Sequence, residues 1–238
     1  MSDPIDTWVL IAAGLIAHAD ERIEVEEWDI VVDLLDDRER PDLEAWLEIL
    51  ADPERVSAKF EALEPPSDRE AAEAIAYRAW QIALADGEAS EIEASVHARI
   101  TDRLGIAAAD AERLRAEWSA LAARRGEVAV GLAAHLAHID GALDPAEAAK
   151  FAEILERVPV SVARRLELGE RLHAPPSLET LAESAAELPR DERLEILRTV
   201  APMVRASARG DAEMAALHAF ARLVDLDDAE VDRIVASR

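Results

Sequence analysis

Apolar residues recur at helical spacing along nearly the whole of this 238-residue chain, and only short polar breaks interrupt them. Glycine occurs just 8 times, and alanine and leucine supply most of the apolar side chains, a mixture that favours helices over strands. We therefore predict an all-α fold with two successive series of helices. The first series covers residues about 5–19, 25–37, 41–50, 53–63, 68–85, 91–104 and 108–124, and the second covers about 127–139, 145–157, 160–173, 178–187, 190–208, 212–224 and 228–237.

The two series are interrupted at matching places. Pro65-Pro66-Ser67 breaks the first series, and Pro175-Pro176-Ser177 breaks the second. A residue that precedes proline is disfavoured in the α region, and serine is a good N-cap, so we expect Ser67 and Ser177 to cap the helices that follow. The chain would then contain one helical arrangement twice.

The boundary between the two copies is predicted at Arg124-Arg125-Gly126, because glycine can end a helix and arginines suit an exposed junction. Domain 1 would cover residues 1–124 and domain 2 would cover 127–238. Each domain is expected to be a bundle of about seven helices that contains two pseudo-symmetric helical hairpins.

One acidic motif recurs where a helix is expected to end and the next to begin. An Asp is followed seven residues later by a Glu, and the pairs are Asp20 and Glu27, Asp86 and Glu93, and Asp140 and Glu147. A fourth copy has Ala206 in place of the Asp and keeps Glu213. Asp20 to Asp86 and Asp140 to Ala206 both span 66 residues, so the order of motif, linker and motif occurs twice.

Helix capping alone explains several positions of this motif. Gly87 and Gly141 can adopt the left-handed conformation that follows a helix. Ser90 and Glu93 have the spacing of a capping box, and the Asp144-Pro145 pair places proline at the favoured first helical position. These residues therefore need no function beyond the hairpin.

The Asp positions are different, because capping does not explain them. Asp20, Asp86 and Asp140 would lie at helix C-termini, where the macrodipole disfavours a carboxylate by about 0.3–1 kcal/mol. A hairpin returns the Glu of the next helix to the neighbourhood of this Asp, and the second hairpin of a domain adds two more carboxylates. Such a cluster suits a hard divalent cation.

The composition limits the function. The formal net charge of −25 repels phosphate backbones and attracts cations and basic protein surfaces, so we expect no nucleic-acid partner. The absence of cysteine excludes disulfides and thiolate chemistry. No nucleophile motif or cofactor fingerprint is visible, and we expect no enzyme. The apolar stretch Trp8–Ala17 is too short to span a bilayer and lacks a basic leader, which predicts a cytoplasmic protein without membrane insertion.

The sequence leaves the roles of two histidines open and suggests core positions for the tryptophans. His18 and His138 each lie two residues before a motif Asp, and each could be a ligand, a proton carrier or a packed, hydrogen-bonded residue. The five tryptophans lie in the first half of the chain at helical spacing, which is typical of core positions. They are Trp8, Trp28, Trp46, Trp80 and Trp118.

The paired hairpins resemble the TerB tellurite-resistance family. The stretch Ala85-Asp86-Gly87-Glu88-Ala89-Ser90-Glu91-Ile92-Glu93 is the most similar, and Ile139-Asp140-Gly141-Ala142-Leu143-Asp144-Pro145-Ala146-Glu147 is nearly as similar. The resemblance implies two tandem TerB-like bundles with clustered acidic residues that bind a divalent cation, Ca²⁺ or Mg²⁺. It implies metal positions at Asp20, Glu27, Asp86, Glu93, Asp140 and Glu147.

The resemblance also implies a role as a stress-response sensor or adaptor with a protein partner, basic or membrane-associated. Two departures bear on it, because Glu21 stands where the family has glycine and Ala206 replaces the last Asp. The fourth motif is therefore degenerate, and the cluster of domain 2 is incomplete. The alternative function is a metal-free acidic scaffold for protein–protein interaction.

Overall fold

The described part of the chain is all-α, as predicted. The computed structural model describes residues 4–19, 43–85, 87, 89–139, 145–206 and 210–236, and over these residues it contains twelve α-helices, one 3-10 helix and no strand. The chain divides into two compact units, Met1–Ser119 and Ala120–Arg238. The predicted helix at 25–37 lies outside the described residues, so the arrangement of seven helices per domain stays a prediction.

The helices are numbered here in chain order. The first five are α1 Pro4–Ala17, α2 Leu43–Leu50, α3 Pro53–Ala62, α4 Arg69–Ala83 and α5 Glu91–Arg103. Helix α6 covers Ala108–Leu136. Those that follow are α7 Pro145–Glu156, α8 Val162–Gly169, the 3-10 helix Glu170–Leu172, α9 Leu178–Ala185, α10 Arg190–Ala206, α11 Gly210–Leu223 and α12 Asp228–Ala236.

Helix α1 is the centre of the first unit. Its residues from Trp8 to Ala17 are all buried, and helices α2, α3, α4 and α5 contact it. A helix that is apolar on every side is expected to be enclosed in this way. The indole Nε1 of Trp8 donates a hydrogen bond to the carbonyl oxygen of Glu64 at 2.8 Å, so the polar edge of this buried ring is satisfied.

The tryptophan prediction is confirmed at three positions. Trp8, Trp46 and Trp80 are buried, whereas Trp118 is half-buried. Trp28 lies outside the described residues. None of the helices in the described part of the chain has the length and apolarity that crossing a membrane requires.

The second unit is built around the C-terminal half of α6. Residues 128–134 and Leu136 are buried there, within a core to which Phe151, Leu197 and Phe220 also belong. Helix α10 contacts α7, α11 and α12, and α9 contacts α11. In both units, therefore, the helix that precedes a motif Asp is largely enclosed by its neighbours.

The predicted helix end at Gly126 is wrong, because α6 continues unbroken from Ala108 to Leu136. Gly126 is half-buried rather than exposed. A Cβ added there would lie 2.7 Å from Cγ1 of Val158. The glycine thus allows the close approach of Val158 to the middle of α6 and does not end the helix.

Two smaller corrections concern caps and helix length. Ser177 caps α9 by accepting a hydrogen bond from Thr180 N at 3.3 Å, as predicted, but Asp68 and not Ser67 caps α4. The single helix predicted over 160–173 is instead α8 followed by a short 3-10 turn. Both changes are local, and neither alters the order of the elements.

Candidate functional site

The best-described acidic hairpin joins α4 to α5. Gly87, at φ 103°, adopts the left-handed conformation predicted for it, and its backbone N–H donates to the carbonyl oxygen of Leu84 at 3.1 Å. A residue with a Cβ rarely adopts this conformation. The chain therefore turns sharply here and enters α5 at the N-cap Ser90.

Ser90 and Glu93 form the predicted capping box at the start of α5. The Oγ of Ser90 accepts a hydrogen bond from Glu93 N at 3.1 Å, and Oε2 of Glu93 accepts one from Ser90 N at 2.6 Å. Glu93 is only 8% exposed. The buried carboxylate thus satisfies a backbone N–H at the start of α5.

The glutamate of the motif is buried in every copy that the structure describes. Glu147 lies in the first turn of α7 and is 4% exposed, and Glu213 lies in the first turn of α11 and is 2% exposed. Acidic side chains are rarely enclosed to this extent, because a buried charge must be compensated by partners. The burial is therefore a shared property of the repeat.

Asp20, Glu27, Asp86 and Asp140 lie outside the described residues. Within the described part of the chain, no group of three or more His, Asp or Glu side chains is positioned to hold a metal ion. The clustering of the six predicted metal positions, which also include Glu93 and Glu147, stays a prediction.

The histidines near the motif are hydrogen-bonded to the backbone. His18 Nε2 donates to the carbonyl oxygen of Leu50 at 2.7 Å, and His138 Nδ1 donates to that of Ala134 at 3.2 Å. Both rings are half-buried. This geometry fits the packed, hydrogen-bonded alternative for the two residues.

His97 is a buried polar residue that the sequence analysis did not single out. Its ring is fully enclosed, with its centroid 5.0 Å from that of Trp80 and 6.2 Å from that of Trp118. Nε2 donates to the carbonyl oxygen of Ala76 at 2.9 Å. Burial lowers the pKa of His97 to about 4, and the charge of Arg115 acts in the same direction. His97 is therefore neutral at pH 7.

The feature of the sequence that indicates the burial of His97 is its position, one turn after Glu93 on α5. The equivalent positions after Glu147 and Glu213 are Phe151 and Leu217, which are both buried. A histidine that replaces a core residue in a repeat is a candidate for burial.

A second surface feature lies between α7 and α8. Val162 and Leu166, one turn apart on α8, are 69% and 71% exposed. Together with Ala152 and Leu155 of α7 they line a cavity of about 340 Å³, which Gly169 and Arg165 also line. We call this cavity the α8 groove. Its apolar lining and exposure make it a candidate binding surface.

Helix α8 is held in place from its other side. Leu168 is fully buried, and Arg164 donates two hydrogen bonds to the carboxylate of Glu127 on α6, at 2.8 Å and 2.6 Å. These bonds hold the pKa of Glu127 below its ordinary value. The inner face of α8 is thus anchored by both packing and charge, so Val162 and Leu166 point away from the core.

Comparisons with protein-family models, with curated proteins and with solved structures find no match to this chain.

Proposed function

We propose that this chain is a TerB-like acidic helical protein that binds a divalent cation through its hairpin carboxylates and acts as a stress-response sensor or adaptor. The observation that carries the proposal is the burial of Glu93, Glu147 and Glu213 at one position of the repeat. An enclosed carboxylate needs compensating charge or hydrogen bonds. Each of these glutamates already has a partner within the chain, and its carboxylate oxygens are of the kind that hard cations bind.

The proposed ligands differ between the two halves. The first half would offer Asp20, Glu27, Asp86 and Glu93 to Ca²⁺ or Mg²⁺. The second half offers Asp140, Glu147 and Glu213, because Ala206 replaces the fourth carboxylate. Affinity for these ions depends on the number of charged ligands, so the first half should bind more tightly.

Calorimetric titration of the full chain with Ca²⁺ and with Mg²⁺ tests this proposal. We expect the wild type to show a heat of binding at cation concentrations at or below the millimolar range. Asp86→Asn should abolish this heat, and Asp140→Asn should change it little. Glu88→Gln is the matched control, because it removes the same charge two residues away from a motif position. Equal binding by wild type and Asp86→Asn, or no heat at millimolar cation, would show that the hairpins are not a cation site.

A metal-free interaction scaffold is the second candidate function. The observation that favours it is the exposed apolar face of α8, because adjacent exposed apolar residues are typical of interaction surfaces. Such a scaffold would bind its partner equally well in the presence of a chelator. The cation-dependent sensor would not.

A further inference from the structure

We propose that the α8 groove is the docking site for a basic amphipathic helix of a partner protein. This inference rests on the adaptor role proposed above and assigns that role to one surface. It uses none of the hairpin carboxylates, so the two proposals can fail separately.

The apolar residues of the groove have the spacing that helix recognition uses. Val162 and Leu166 lie at positions i and i+4 and form one exposed stripe, and Leu155 of α7 lies beside that stripe in the groove. Amphipathic helices dock in such grooves by inserting side chains at i, i+3, i+4 and i+7. The burial of Leu166 and Val162 would be the main apolar contribution to binding.

Gly169 keeps the groove open at the C-terminal end of α8. It has no side chain, and a Cβ added there would meet only Cδ2 of Leu155, at 3.4 Å. The anchoring of Arg164 by Glu127 fixes α8 before a partner arrives. A preformed site lowers the entropy cost of association.

The charges around the groove select a basic occupant. Glu156 and Glu170 line it together with one cation, Arg165. Arg164 and Arg171 both pair with the carboxylate of Glu127, whereas Arg165 donates to the carbonyl oxygen of Val158 and keeps its positive charge. The lining therefore carries a net negative charge, which favours a basic occupant over an acidic one.

A second copy of this chain is a poorer occupant than a basic helix. Each copy would present the same two glutamates, and each carries a net charge of −25. Like charges that meet across an interface oppose association, and opposite charges speed it. The same argument excludes an acidic helix.

The test uses the full chain and two synthetic peptides of about 18 residues. Both peptides have a leucine stripe at i, i+3, i+4 and i+7; one has a lysine-rich polar face and the other has glutamate in place of each lysine. Fluorescence anisotropy measures their affinity for wild type, Leu166→Glu and Val162→Glu, in chelator and in Ca²⁺. Leu223→Glu is the matched control, since Leu223 is another exposed leucine of the same unit outside the groove.

We expect the basic peptide to bind wild type and Leu223→Glu alike, and each groove variant to bind at least about tenfold more weakly. Glu156→Gln with Glu170→Gln should reduce the salt dependence of binding, whereas Glu183→Gln should not. Circular dichroism checks that each variant is folded; because Val162 and Leu166 are exposed, we expect no loss of structure.

Several results would overturn the docking site. They are unchanged affinity in both groove variants, equal binding of the acidic peptide, no binding of the basic peptide, or a wild-type dimer in ultracentrifugation that Leu166→Glu dissociates. Calorimetric titration of the same wild-type sample with Ca²⁺ shows separately whether the cation proposal holds. An intact cation heat in Leu166→Glu would confirm that the two sites are independent.

Discussion

The buried polar and charged residues of the described chain are Glu93, His97, Thr101, Glu147, Glu192 and Glu213. Three of these are motif glutamates, and their positions in first helical turns could be read from the spacing of Asp, cap and Glu. Glu192 could not be predicted, because its partner Arg125, at 2.9 Å, lies 67 residues away in the chain. Local patterns predict caps, whereas a buried ion pair depends on the tertiary fold.

At the residue scale, His97 should make the stability of the first unit depend on pH. Its pKa is about 4 in the folded state, below the ordinary value of 6.5, so the unfolded chain takes up the proton first. Stability is complete above pH 6.5 and falls as the pH drops from 6.5 toward 4. The free energy lost over this range should be about 3 kcal/mol.

His97→Phe should remove this dependence, because phenylalanine fills the space between the tryptophans and does not titrate. Urea unfolding followed by circular dichroism at pH 7 and pH 4.5 gives the difference between variant and wild type. His173→Gln, at an exposed histidine, controls for the loss of one titratable group. An identical pH slope in wild type and His97→Phe would show that His97 does not cause the loss.

At the scale of the element, the sequence predicts where helices form. It does not predict which neighbouring helices pack against each of them. Most of the helices predicted within the described ranges are present with nearly the predicted bounds, but Gly126 and α8 illustrate the limit. Apolar periodicity indicates a stripe on α8 and does not say which neighbour covers it. Leu168 is buried and Arg164 pairs with Glu127 of α6, so Val162 and Leu166 remain outside.

Gly126 in the interior of α6 gives a second prediction. Alanine is the better helix former by about 1 kcal/mol, but its Cβ would lie 2.7 Å from Val158, and overpacking costs about 1–3 kcal/mol. We expect Gly126→Ala to lower the free energy of unfolding by about 1 kcal/mol. Combined with Val158→Ala, it should cost less than the sum of the two single changes.

Gly169→Ala is the matched control for this experiment. Gly169 is also helical, with φ −59°, and the added Cβ meets nothing closer than 3.4 Å. The control should be neutral or stabilising. If Gly126→Ala stabilises the chain as much as Gly169→Ala does, the contact with Val158 does not limit residue 126.

At the scale of the whole molecule, the net charge of −25 affects every measurement of cation binding. Any added salt screens the repulsion among the carboxylates and stabilises the chain without a specific site. The acidity was readable from composition alone. The grouping of Asp20, Asp86 and Asp140 into cation sites is a prediction from sequence spacing, through the hairpins that this spacing indicates.

A thermal melt at constant ionic strength separates screening from specific binding. Replacing NaCl by CaCl₂ or MgCl₂ should raise the melting temperature, because a ligand that binds only the native state stabilises it by about 2.7 kcal/mol at one hundred times its dissociation constant. For a chain of this size each kcal/mol corresponds to about 2–4 °C. Asp86→Asn and Asp20→Asn should lose this increment, and Glu88→Gln should retain it. An equal increment in all three variants would mean that the divalent ion acts only on the general charge of the surface, and the acidic scaffold would then be the better account of this protein.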